Sequence, residues 1–462
     1  MNYDIDKLEK EYRVRLDDVQ RKALSDLTSF ITSDEHCICL TGFAGTGKTV
    51  IANMLYDILA DNGYWTAFIA PTNKAKLVLA SKGMKGREAL TIHSLLNLKP
   101  NLNVLDFDAS QLEFNFLNTS FKRSCQVYKY DVLIVDECSM INSDLYDLLL
   151  KEYKSSKIVF VGDPKQLYSV KENKPSKAFS NRTIYLNKIY RQKESCLSKV
   201  LNYLREKPLY KFKSISDDYS NITVCNNIVQ MLKKYSYLFK ISKDFSDSNL
   251  IKLVSYTNNR INALNKLIRE YLGYKEEFVV GEILTGYDTT NYLGLKIENS
   301  RDYIITSVNK TKYLELNAWK LGLKSDDSAF EVVVLSKDNS EENIDNLAHK
   351  LEEFRLSAVN AGKDNIYKKR VNALWSKYYD LSESFLTTFD LKYDNRIIKR
   401  KSLDYGYCIS THKSQSSQYS IVVIDMENIW RCTNKEELRQ LQYVACSRTT
   451  SDLIIYQKDS NT

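Results

Sequence analysis

The 462-residue sequence predicts an α/β protein built as two parallel-sheet domains, each carrying an insertion. Three observations predict it. A short apolar run, Cys37-Ile38-Cys39-Leu40, passes through a glycine-rich turn into the helix-like Val50-Ile51-Ala52-Asn53-Met54-Leu55. Two more apolar runs, within Asp131 to Glu137 and Lys157 to Val161, end in polar residues, as parallel strands buried on both faces do at their C-terminal tips. A second set of such runs, Leu250 to Tyr256, Ile421 to Ile424 and Leu453 to Ile455, lies far downstream.

Gly42 to Thr49 reads Gly-Phe-Ala-Gly-Thr-Gly-Lys-Thr, a complete phosphate-loop signature in the strand, turn and helix context it needs. Glycine lets the backbone curl so that the amides of Gly42, Ala44, Gly45, Thr46 and Gly47 cradle phosphate at a helix N-terminus. Lys48 then reaches the β- and γ-phosphates and the Thr49 hydroxyl takes Mg²⁺. The sequence therefore implies a nucleoside triphosphate, with ATP and Mg²⁺ as the ligands. The strand Asp131-Val-Leu-Ile-Val-Asp136-Glu137 presents two carboxylates at its tip: Asp136 for the metal and Glu137 to orient and deprotonate water. The third strand runs into Gly162-Asp163-Pro164-Lys165-Gln166-Leu167, where Gln166 touches the γ-phosphate water without repelling phosphate. Ile189-Tyr190-Arg191-Gln192 and Tyr443-Val-Ala-Cys-Ser-Arg448 each place an arginine after an apolar stretch. Arg191 and Arg448 are candidates to neutralise γ-phosphoryl charge from across a cleft. An arginine is also a common surface cation, so neither is decided by pattern alone.

Charge and composition exclude more than they assign. Net charge is +8, from 66 basic against 58 acidic residues, so nucleic-acid binding has to come from local clusters. Two exist: Lys74, Lys76, Lys82, Lys85 and Arg87, and Arg396, Lys399, Arg400 and Lys401. Nine cysteines form no CxxC pair and no Cys/His ligand spacing, which predicts a reduced protein without a zinc or iron–sulfur site. The sequence has no apolar run near ~18 residues and no signal peptide, so the expectation is a cytoplasmic chain with no membrane segment.

The order of the motifs adds an identification. Gln20 resembles the adenine-reading Q motif, Ala70-Pro71-Thr72-Asn73-Lys74-Ala75 motif Ia, and Thr91-Ile92-His93-Ser94 motif Ib. Asp136-Glu137 resembles motif II, Gly162 to Leu167 motif III, and Tyr190-Arg191-Gln192 motif IV. Thr411-His412-Lys413-Ser414-Gln415 is similar to motif V, and Arg448 falls in motif VI. Together they resemble superfamily 1 DNA helicases of the RecD/Dda branch, which move 5′ to 3′ on single-stranded DNA. In that family motif V usually has Gly and Glu where this chain has Ser416 and Gln418.

The resemblance implies two RecA-like domains that clamp Mg·ATP, with DNA across their tops. Domain 1A is expected at 1–94 and 126–195, and 2A at 196–280 and 402–462. A hairpin insertion, 1B, is expected at 95–125. There Leu102 to Phe107 and Leu112 to Phe116 alternate with a period near two, and the resemblance makes it a pin that splits the duplex. Insertion 2B, 281–401, is expected to combine an SH3-like barrel with a helical tower. The tower helices carry Leu347, Leu351, Phe354 and Leu356 against Val371, Leu374, Trp375, Tyr378 and Tyr379. Pro71, Thr72, Asn73, Thr91 and His93 on one domain, Thr411, His412 and Lys413 on the other, and Phe107 and Phe114 of the pin are the expected DNA contacts. His93 and His412 also read as ordinary buried histidines, and the hairpin as one that merely packs on its domain.

The implied activity is ATP-driven 5′-to-3′ unwinding of DNA, with single-stranded DNA and forked duplex as partners. The motor is expected to act as a monomer or as a subunit of a larger complex with a single-strand-binding or nuclease partner, in a nucleoid or a phage-infected cell. The alternatives are an ATP-gated translocase or a motor subunit of a defence or repair nuclease complex without strong unwinding, and an RNA-directed motor.

Overall fold

The structure is a computed structural model describing residues 1–71, 89–98, 102, 107–109, 130–169, 172–190, 195–240, 250–363 and 368–458. Its first sheet has six parallel strands: β1 (Cys37–Gly42), β2 (Thr66–Ala70), β3 (Ala89–Thr91), β4 (Val132–Val135), β5 (Lys157–Gly162) and β6 (Arg182–Leu186). Their order is β3-β2-β4-β5-β1-β6. The central strands are buried throughout, which is why they read as unbroken apolar runs rather than as alternation. Helices Asp18–Ile31 and Lys48–Asp61 cover one face, through Leu24, Leu27, Phe30, Ile51, Leu55 and Ile58. Helix Ser143–Glu152 covers the other, through Leu145, Tyr146 and Leu149. The phosphate loop, Asp136 and Gln166 thus all leave the sheet at its C-terminal edge, where open α/β sheets bind ligands.

The second sheet draws on distant parts of the chain. Strands β7 (Ile215–Ser216), β8 (Asn221–Cys225) and β9 (Ile251–Ser255) precede the insertion, and three more strands follow it. Between the two sets lie a hairpin, β11 (Thr290–Tyr292) with β12 (Leu295–Ile297), and a five-stranded antiparallel sheet. That sheet comprises β10 (Ile283–Gly286), β13 (Asp302–Tyr313), β14 (Leu316–Lys324), β15 (Ala329–Leu335) and β18 (Leu403–Tyr405), in the order β15-β14-β13-β10-β18. The register of β13 on β14 shifts between Ile305 and Ser307, a bulge that bends the long strand. A second hairpin joins β16 (Leu391–Tyr393) to β17 (Arg396–Lys399). The chain then returns to the second sheet with β19 (Cys408–Ser410), β20 (Tyr419–Asp425) and β21 (Thr449–Tyr456), in the order β19-β9-β20-β21-β8-β7. The first five are parallel and β7 is antiparallel. Lys252 on β9 ties this sheet to the insertion: its fully buried ammonium reaches Asp302 at 2.8 Å and the Gly406 carbonyl at 2.6 Å.

The tower is an antiparallel pair, Glu341–Lys363 and Lys368–Ser382. Of the expected seam residues Leu347, Leu351 and Tyr378 are buried, Phe354, Leu356, Val371, Leu374 and Trp375 are half-buried, and Tyr379 is exposed; Leu381 is buried as well. The seam also buries an ion pair, Glu352 with Arg355, that apolar spacing does not reveal. No helix among the described residues is long and apolar enough to cross a membrane. The expected hairpin falls largely outside the described residues, as does the basic cluster from Lys74 to Arg87.

Candidate nucleotide and nucleic-acid sites

The phosphate loop takes its shape from two glycines. Gly45 and Gly47 have φ of 84° and 88°, in the left-handed region that disfavours a Cβ. A Cβ on Gly47 would also stand 2.6 Å from Gln20 Nε2. Gln20 belongs to a capping box with Asp17, and its Nε2 donates to the Thr46 carbonyl at 3.2 Å. Its side chain braces the loop from behind, with its Oε1 accepting from the Asp17 amide at 3.3 Å. Lys48, at the start of its helix, donates to the carbonyls of Gly42 and Phe43 at 2.7 and 2.9 Å, folded over the cradle its sequence position predicts.

A cavity of about 360 Å³ opens beside the loop, a size typical of small-molecule sites. From the first domain Gly45, Gly47, Lys48, Thr49, Asp136, Glu137 and Gln166 line it; from the second come Ser416, Ser417, Gln418 and Arg448. Asp136 is buried and its Oδ1 accepts the Glu137 amide at 2.8 Å. Contacts that cross the cleft include Ser416 Oγ, which donates to Glu137 Oε1 at 3.2 Å, and Gln415 Nε2, which donates to Gln166 Oε1 at 3.3 Å. Ser416 has φ of 65°, which accounts for glycine as the usual residue there. Arg448 is buried, donating to Val444 O at 3.0 Å, Ser417 O at 3.3 Å and Ser447 Oγ at 2.9 Å. Burial draws its guanidinium below the ordinary arginine range, and the charge of Glu137 opposes that shift. The structure thus gathers Lys48, Thr49, Asp136, Glu137, Gln166 and Arg448 around one cavity. Arg191 lies outside the described residues; its neighbour Tyr190 donates its amide to Gly45 O at 2.8 Å and its hydroxyl to Asp17.

Two families of known proteins match parts of the chain. An AAA domain family matches residues 15–222, and a UvrD-like helicase C-terminal domain family matches 405–456. Dda, the ATP-dependent DNA helicase of Enterobacteria phage T4, is 26% identical over 57% of this chain and 59% of its own. The chain belongs to the superfamily 1 helicases related to RecD and Dda. It is also similar to protein R530 of Acanthamoeba polyphaga mimivirus, at 25% identity over 94% of this chain and 98% of that protein. It therefore spans nearly all of R530 but under two thirds of Dda. The Pif1 helicase of Candida albicans superposes with a TM-score of 0.51 at 16% identity, covering 96% of each chain. Two RecA-like parallel-sheet domains with sheet and helical insertions are the fold this helicase shares with Pif1.

The residues expected on DNA divide in three. Thr72, Asn73 and Phe114 lie outside the described residues, and Pro71 is the last described residue after β2. His93, half-buried, lies in the short helix Ile92–Leu95, which the buried Thr91 caps by accepting the Ser94 amide at 3.1 Å; burial lowers the imidazole's proton affinity. His412 is lowered in the same way and lies 6.5 Å from the Tyr256 ring. Lys413 donates to Tyr287 O at 2.8 Å with its ammonium 3.8 Å from that ring's centre, and burial lowers it to about 8.

Two expectations need correction. Thr411 has no exposed surface, and its hydroxyl donates to Ser255 O at 3.2 Å, because the short helix begins at the tip of β19 and turns this side chain against β9. Phe107 is buried under the Arg355 guanidinium, 5.1 Å from its ring centre, so it anchors its segment to the tower rather than meeting a base. Sequence reasoning also passed over Ser417, which lines the cavity, and Tyr443. Tyr443 opens the same motif that ends in Arg448, and that proximity was the available signal.

Proposed function

We propose that this chain is an ATP-dependent DNA helicase that translocates 5′ to 3′ on single-stranded DNA and unwinds duplex as it moves. The observation that carries the reading is the shared cavity, lined from both domains by Lys48, Thr49, Asp136, Glu137, Gln166 and Arg448. Lys48 and the loop amides bind phosphate, and Glu137 takes a proton from the attacking water that Gln166 helps orient. The Thr49 hydroxyl and the Asp136 carboxylate line the same cavity as hard oxygen donors, a set that would hold Mg²⁺, whose charge would offset that of the phosphates. Arg448 belongs to the other domain, so its approach to the γ-phosphate requires closure, and this links hydrolysis to domain motion. Arg191 is a second candidate for that role.

The DNA path is proposed across the tops of the sheets, past Pro71, Thr72, Asn73, His93, His412 and Lys413, with the 1B segment at the fork. Dda is a DNA helicase and Bacteroides Pif1 has been seen bound to single-stranded DNA, which supports DNA over RNA. We assign domain 1A to 1–94 and 126–195, 1B to 95–125, 2A to 196–280 and 402–462, and 2B to 281–401, except that β18 (Leu403–Tyr405) pairs with β10 of the insertion and moves the last boundary to 405/406. A cytoplasmic motor, single or within a complex, is consistent with this reading. The test is ATP turnover with and without single-stranded DNA. Glu137→Gln should keep ATP binding and lose turnover, and Lys48→Ala should lose both. Near-normal hydrolysis by Glu137→Gln would remove the assignment.

A further inference from the structure

Where the two domains meet behind the cavity, one hydroxyl joins three parts of the chain. Tyr443 lies on the helix Lys435–Cys446 of the second domain. Its phenol donates to Asp163 Oδ2 at 2.9 Å and accepts the Ala44 amide at 3.2 Å, and both partners belong to the first domain. A phenol has one proton to give, and here it goes to the carboxylate while a lone pair takes the amide, so the two contacts together fix its orientation. Tyr443 has no exposed surface, and burial pushes its phenol far above the usual tyrosine range, which keeps it a neutral donor. The Arg205 guanidinium lies 5.7 Å from its ring centre and 4.0 Å from that of Phe43, the loop residue preceding Ala44. Arg205 is 6% exposed, and its Nε has no hydrogen-bond partner, so ring contacts contribute much of its seating against the loop.

The partners of this hydroxyl are not incidental to the chemistry. Ala44 N–H belongs to the loop whose amides cradle phosphate. Asp163 begins the turn that leads to Gln166, and its other oxygen accepts the Lys165 amide at 2.9 Å. Arg448 lies two residues past the end of the Tyr443 helix and donates to Val444, Ser417 and Ser447, all of its own domain. How that helix sits on the first domain therefore sets where the Arg448 guanidinium can go.

We propose that Tyr443 is a positioning residue for ATP hydrolysis, an inference that rests on the functional reading above: its hydroxyl docks the arginine-bearing helix on the phosphate loop and on Asp163, and so aligns Arg448 with the γ-phosphate. Tyr443→Phe keeps the ring beside Arg205 and removes only the hydroxyl. The kcat for single-strand-stimulated hydrolysis should fall roughly 10- to 100-fold, the scale of a small misplacement of a reacting group. The KM for ATP and the Kd for ADP should stay within about threefold, because ground-state binding is not what the hydroxyl serves. The Kd for ADP with aluminium fluoride, which imitates the transferring phosphoryl group, should weaken by the same factor as kcat. Asp163→Ala should reproduce this loss, Asp163→Asn should restore part of it by keeping an acceptor, and Tyr443→Phe with Asp163→Ala should be no worse than either alone.

Normal kcat in Tyr443→Phe overturns the inference. So does an equal weakening of ADP and of ADP with aluminium fluoride, the mark of a packing role, and so do additive losses in the double variant. A wild-type protein that fails to hydrolyse ATP overturns the functional reading and the inference with it. A wild type that hydrolyses beside an unaffected Tyr443→Phe overturns the inference alone.

Discussion

Arg355 offers the sharpest test of how the insertions are held. Its Nε and Nη2 each donate to Glu352 at 2.7 Å, its Nη1 donates to Leu102 O at 2.8 Å, and its guanidinium covers Phe107. The paired side chains are 1% and 2% exposed. Arg355→Met leaves the Glu352 carboxylate buried without its bidentate partner, a change that costs about 3–5 kcal/mol in comparable sites. Arg396 Nη2 remains 3.8 Å from Glu352, which places the cost at the lower end, about 3 kcal/mol. That is ~150-fold in a local opening equilibrium. A chain of several domains does not unfold in one step, so amide hydrogen exchange in Glu341–Lys363 and Lys368–Ser382 is the suitable assay. Exchange there should quicken by roughly that factor, while Glu352→Leu with Arg355→Met should come back near wild type because no charge is stranded. Since Leu102 and Phe107 would lose their anchor, unwinding should fall further than single-strand-stimulated ATPase. A change of less than about fivefold in exchange would refute the reasoning, as it corresponds to only ~1 kcal/mol.

Three further outcomes are expected. Arg448→Ala should lower kcat by about 10³-fold or more while ATP affinity changes less than about tenfold, measured by steady-state hydrolysis and nucleotide titration; normal turnover would mark the arginine as structural. Ser416→Gly should fold at least as stably as wild type, because φ of 65° suits glycine, whereas Ser416→Val should destabilise by about 1–2 kcal/mol in thermal or denaturant melts; the reverse order would contradict the backbone reading. Lys413, lowered to about 8 by burial, should make single-strand affinity fall as pH rises past 8, since a phosphate contact needs the ammonium. Its effect on stability has the opposite sign: between about 8 and the ordinary lysine value the unfolded chain binds more protons, so folding gains with pH there. Lys413→Gln should flatten both trends, and an unchanged pH profile would show that the phosphate does not meet this lysine.

What could be read in the sequence follows from what kind of signal each feature leaves. Lys48 and Thr49 sit in a contiguous octamer, and Asp136 and Gln166 sit at the tips of buried apolar strands, so local pattern sufficed to group them around one cavity. The parallel sheets were legible because strands buried on both faces leave unbroken apolar runs. Arg355 and Glu352 left no such mark: spaced three apart on a helix, they read as a solvated pair, and segments remote in the chain, Leu102 and Phe107 among them, pack over them. Thr411 shows the converse error. A motif fixes which residue stands at a strand tip but not which way its side chain turns, and here it turns toward β9. Tyr443 was missed because its partners, Ala44 and Asp163, are remote in sequence and meet it only across the domain junction.

On the proposed function, closure of this cleft drives a motor along DNA in one direction and separates strands at the pin. Strand displacement on forked DNA with a single-stranded tail at either the 5′ or the 3′ end tests it most directly, with ATP and Mg²⁺ present. The account predicts ATP-dependent unwinding of the 5′-tailed duplex, none with Glu137→Gln, and little from the 3′-tailed one. Unwinding from the 3′ tail alone would contradict the direction of travel, and vigorous single-strand-stimulated hydrolysis without unwinding of either substrate would contradict the helicase itself.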